Sequence, residues 1–68
     1  MEQKLNALVV DDEENARILL NSLLEETLLF KDIRLVQSVD AAYDELRIFE
    51  PDIIFLDIKM LKLGAAPA

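Results

Sequence analysis

The chain has no cysteine and no histidine, and only one glycine and two prolines in 68 residues. Without cysteine there are no disulfides and no thiolate zinc sites. Without histidine, imidazole metal ligands and histidine-based catalysis are excluded. One glycine is too few for a dinucleotide-binding fingerprint or a P-loop. No apolar run approaches the ~20 residues that cross a bilayer. The opening MEQKLN is too polar for a signal peptide, so the expected compartment is the cytoplasm. Basic residues are scarce as well: 7 Lys and Arg stand against 14 Asp and Glu, a net charge of −7. That balance opposes nucleic-acid binding, which neutralises phosphates with basic side chains. It equally disfavours anionic membrane surfaces.

Hydrophobic residues make up 53% of the chain. The length allows one small domain, marginal without added support. With disulfides and thiolate or imidazole metal sites excluded, the remaining supports are partners, oligomers and hard cations held by oxygen.

Hydrophobic patterning predicts five elements. LNALVV, residues 5–10, is a short valine-containing apolar run that suits a buried strand. Ala16, Leu19, Leu20, Leu23 and Leu24 follow helical spacing and predict one apolar face, with the helix fading near Glu26 or Thr27. Glu13 and Glu14 fall in its first turn, where acids favour the dipole. IRLV, residues 33–36, predicts a second strand, and Arg34 within it points to an edge position. Asp40 is the expected N-cap of a helix over 41–49 whose inner face carries Ala42, Leu46 and Phe49. Pro51 ends it. IIFL, residues 53–56, is a continuous apolar strand signal. The order β-α-β-α-β predicts a parallel sheet with right-handed crossovers.

Two of these strands run straight into acids: the first into Asp11 and Asp12, the third into Asp57. A parallel sheet places all strand C-termini at one edge. If the order is 2-1-3, the first and third strands are neighbours at a topological switch point, where open α/β sheets bind ligands. Converging carboxylates repel one another unless something compensates. A divalent cation with oxygen ligands is the simplest compensation, and magnesium also accepts phosphate oxygens. A carboxylate beside it can attack phosphorus. Taken alone, Asp11 and Asp12 are better read as a solvated strand-to-helix turn with an N-cap. Asp57 at a second strand end favours the metal and phosphate site. An EF-hand does not fit, because its sixth and twelfth positions counted from Asp11 are Ala16 and Ser22.

LVVDDEENARILLNSLLEE followed by PDIIFLDIKM resembles the receiver domain of two-component response regulators, over roughly residues 5–60. The acid pair after the first strand, combined with PDxxxLDxxM around the third, is a specific combination. The first segment also resembles receivers attached to LytTR-type DNA-binding domains. The resemblance implies an α/β fold, the βαβαβ half of a flavodoxin-like doubly wound parallel sheet with strand order 2-1-3. It implies a bacterial signalling module that accepts a phosphoryl group and is not itself an enzyme. Asp57 resembles the phosphoacceptor, Asp12 the direct Mg2+ ligand, and Asp11 a ligand acting largely through water. The backbone carbonyl of Lys59 resembles a further ligand, with its side chain facing the phosphoryl group. The implied donors are a histidine kinase or a small acyl phosphate.

The chain departs from the family after Met60, where LKLGAAPA does not match the family's proline- and glycine-containing continuation. The third helix, the last two β/α units, and their Ser/Thr and Lys are not found in the sequence. The expectation is a truncated receiver over 1–60 with a tail at 61–68, natural or engineered. Such a half-domain leaves the third strand at an edge, a template for pairing with another chain. A homodimer through that strand, with or without surviving phosphoryl chemistry, is the expected assembly.

Overall fold

The computed structural model describes residues 4–57. They form β1 (Leu5–Val10), α1 (Glu14–Glu26), β2 (Phe30–Val36), α2 (Val39–Glu45) and β3 (Ile53–Leu56). The sheet is parallel, ordered β2-β1-β3. This is the βαβαβ arrangement, with the strand order, that the resemblance implied. Among the described residues no helix is long and apolar enough to cross a membrane.

β1 lies between the other two strands. Its Ala7, Leu8, Val9 and Val10 are all buried, which is why this run carries no charge. Side chains alternate along a strand. Leu8 and Val10 therefore face one side, where they pack with Ala42, Phe49 and Val36. Ala7 and Val9 face the other side, which α1 covers. The first crossover runs from β1 out to β2 and the second runs back from β2 past β1 to β3, so right-handedness puts α1 and α2 on opposite faces.

Five local expectations are corrected. β2 begins at Phe30 and not at residue 33. Its first residues pair with Leu5 and Asn6 across a register shift, and the exposed Lys31 and Asp32 break the apolar pattern there. The N-cap of α2 is Ser38, not Asp40: extended at Ser38, the chain lets its side chain accept from the N–H of Ala41 at 3.0 Å. Asp40 instead lies in the first turn, where its charge suits the helix N-terminus. α2 also ends at Glu45, short of 49, in a tightened turn in which Ile48 and Phe49 both donate to Glu45 O. Leu46, expected inside, is half exposed beyond that end. In α1 the inward residues are Ala16, Leu20 and Leu24, while Leu19 and Leu23 remain 61% and 50% exposed. The apolar stripe of α1 is wider than the sheet face beneath it.

Arg34 lies on the edge strand β2, as its charge suggested. It pairs with Glu45, and its guanidinium carbon sits 4.4 Å from the Phe49 ring centroid. A charged residue on an inward-facing position is thereby satisfied, and α2 is fastened to the sheet.

Candidate functional site

β1 and β3 run side by side up to the Val10–Leu56 pair, and the next residue on each is an aspartate. Main-chain bonds carry the sheet one step further: Asp57 N–H donates to Val10 O and Asp11 N–H to Val36 O, each at 3.1 Å. The sheet itself therefore makes Asp11 and Asp57 neighbours. By strand alternation Asp11 shares the face of Ala7 and Val9, and Asp57 that of Ile53 and Phe55. Both open toward α1. A crevice of about 290 Å³ lies there, lined by Val9, Asp11, Leu20, Phe55 and Asp57 among others.

Asp12 follows in the turn. Carboxylate oxygens of Asp11, Asp12 and Asp57 all lie within 4.8 Å of one another. Asp11 and Asp57 are half-buried and Asp12 is exposed. The structure thus brings together the three acids that the sequence singled out. Lys59, the fourth expected site residue, and the tail at 61–68 lie outside the described residues.

The turn between β1 and α1 is tied at several points. Asp11 Oδ1 accepts from Glu13 N–H at 3.0 Å. Glu13 is the N-cap of α1 and forms no side-chain cap of its own, so Asp11 takes over part of that role. Arg17 Nη1 donates to the Asp11 carbonyl at 2.7 Å. Sequence reasoning did not find Arg17. The available signal was a single cation one turn beyond four consecutive acids.

Three hard oxygen donors converging at one sheet edge, one of them open to solvent, suit a hard divalent cation that keeps some of its waters. Unscreened, the same three charges repel strongly at this separation. The donor set therefore fits the cation that receivers carry.

An open parallel sheet with converging carboxylates at its switch point is the arrangement of a receiver-type module. The family model described as response regulator receiver domain matches residues 7–64, most of the chain, and the chain belongs to that family. It is a receiver domain of the two-component response regulator class. Among similar proteins, the sensory transduction proteins LytT of Bacillus cereus and of Bacillus anthracis are each 46% identical over 56 residues, covering 82% of this chain and 23% of theirs. The chain thus spans less than a quarter of the length of these relatives. No solved structure matches it significantly.

Proposed function

We propose that this receiver domain takes a phosphoryl group on Asp57, with Mg2+ held by Asp11, Asp12 and Asp57 and completed by the backbone carbonyl of Lys59. The supporting observation is the convergence of the three carboxylates within 4.8 Å. When bound, the cation neutralises charge as the phosphoryl group approaches. Asp57 supplies the nucleophile: one carboxylate oxygen bonds to phosphorus while the bond from phosphorus to the donor breaks. The electron pair leaves with the donor, the imidazole nitrogen of a phosphohistidine or the carboxylate of an acyl phosphate. Asp11 and Asp12 hold the cation. The chain is then a phosphoacceptor, not a turnover catalyst, and its kinase partner and cytoplasmic setting follow from that role. Its likeness to proteins named LytT favours the LytTR-type branch of the family.

Intact mass after incubation with acetyl phosphate and Mg2+ tests the proposal. One added phosphate is expected, none without Mg2+, and none for Asp57→Asn. No addition to a folded parent chain would contradict it.

A second copy of the chain is the partner we propose at the outer edge of β3. The two outer strands differ in charge. β2 carries Lys31, Asp32 and Arg34, while β3 carries no charged residue within Ile53–Leu56. Charges protect an edge from pairing, and an uncharged apolar edge invites it. Sedimentation velocity across a concentration series should show a dimer, and a monomer throughout would contradict the pairing.

A further inference from the structure

We propose that Arg17 is a positioning residue for the cation-binding carboxylates, acting through the main chain of Asp11. The inference rests on the reading of the acid cluster as a Mg2+ site.

Both main-chain polar groups of Asp11 are engaged. Its N–H donates to Val36 O at 3.1 Å, which holds it to the sheet. Its carbonyl accepts from Arg17 Nη1 at 2.7 Å, which holds it to the helix. Arg17 is itself anchored, since its N–H donates to Glu13 O at 3.1 Å in the first turn of α1. The guanidinium therefore ties the end of a strand to the start of a helix. The peptide unit is planar, so fixing the Asp11 carbonyl fixes the plane through which the chain enters Asp12. That plane fixes the N–Cα axis of Asp12, and so narrows the directions its side chain can take. Asp12 is exposed, so restraint of its main chain matters more to its placement than it would for a buried side chain. A charge-assisted bond of this length is among the stronger ones.

The guanidinium also brings a positive charge beside Asp11, one of the three acids, and the two effects oppose each other. As a countercharge alone, Arg17 would compete with a bound cation, and its removal would tighten binding. As a positioning group it aligns the ligands, and its removal would loosen binding. The sign of the change separates the roles.

Mn2+ is the probe, titrated into the 68-residue chain with free metal followed by electron paramagnetic resonance, Mg2+ as competitor, and circular dichroism to verify the fold. Arg17→Ala is expected to weaken Mn2+ binding about tenfold, the lower end of what losing an outer-shell partner costs. Arg17→Lys, still able to donate to the carbonyl, should recover part of that loss. Unchanged or tighter binding by a folded Arg17→Ala would overturn the inference. Should that variant not fold, Arg17→Met, which keeps a long stem and has no donor, carries the same comparison: weaker binding than the parent supports positioning, and equal or tighter binding overturns it. Failure of the parent to bind Mn2+ would instead overturn the cation reading, and Arg17's role with it.

Discussion

At Leu28 the chain enters the left-handed region, with φ at 59°. The residue follows the C-cap of α1, and its N–H donates to Glu25 O at 3.2 Å, so the helix end is closed in a geometry that glycine usually supplies. A side chain there costs about 1–2 kcal/mol, and Leu28 is 74% exposed, so burial returns little. Leu28→Gly gives up about 0.4–1 kcal/mol through the unfolded chain. The expected net is a gain of about 0.5–1 kcal/mol, several degrees in a domain of this size, read by thermal melts. Ser38 is the opposite case. Its hydroxyl caps α2, and Ser38→Ala should cost about 1 kcal/mol in chemical denaturation, while Ser38→Asp should retain most of that stability. Ser38 and Asp40 are both good capping residues two positions apart. The end of β2 at Val36 was read correctly from the sequence, but residue type alone does not rank two such candidates.

At the scale of elements, the contact between α2 and the sheet is part polar. Arg34 pairs with Glu45 and stacks on Phe49, whose side chain is buried. Arg34 is partly open to solvent, so the ion pair alone contributes modestly. Arg34→Ala loses the pair and the stacking together and should cost about 1–2 kcal/mol, against less than about 1 kcal/mol for Glu45→Gln. Much of this framework was legible beforehand. β1, α1 and β3 were visible because a buried central strand, an amphipathic helix and an apolar run leave clear periodic signals. The start of β2 was hidden because Lys31 and Asp32 sit on an outer strand, where charge is tolerated. The exposure of Leu19 and Leu23 was hidden because periodicity reports a face, not what covers it. At the site, Asp11 and Asp57 were legible because each follows directly on a strand end. Arg17 was not, because a lone cation one turn beyond four acids does not say that its partner is a main-chain carbonyl.

At the scale of the molecule, one buried strand carries the fold, and the two outer strands flank it unequally. The β3 side remains apolar. Ile54 is 46% exposed and borders a groove of about 250 Å³ lined by Leu8, Val10, Ala42, Leu46 and Leu56 among others. Ile54→Lys places a charge on this edge and should shift the sedimentation profile toward monomer without unfolding the chain. The acid cluster lies at one end of the same strand, so the proposed assembly edge and the proposed chemistry are adjacent.

The central claim is that the sheet assembles the three carboxylates so that Asp57 receives the phosphoryl group. Borohydride reduction of the chain after treatment with acetyl phosphate, followed by peptide mapping, tests it most directly, because an acyl phosphate on aspartate is reduced to homoserine. The account predicts homoserine at position 57, in the Mg2+-containing sample only. Homoserine at position 11 or 12, or none in a folded chain, would contradict it.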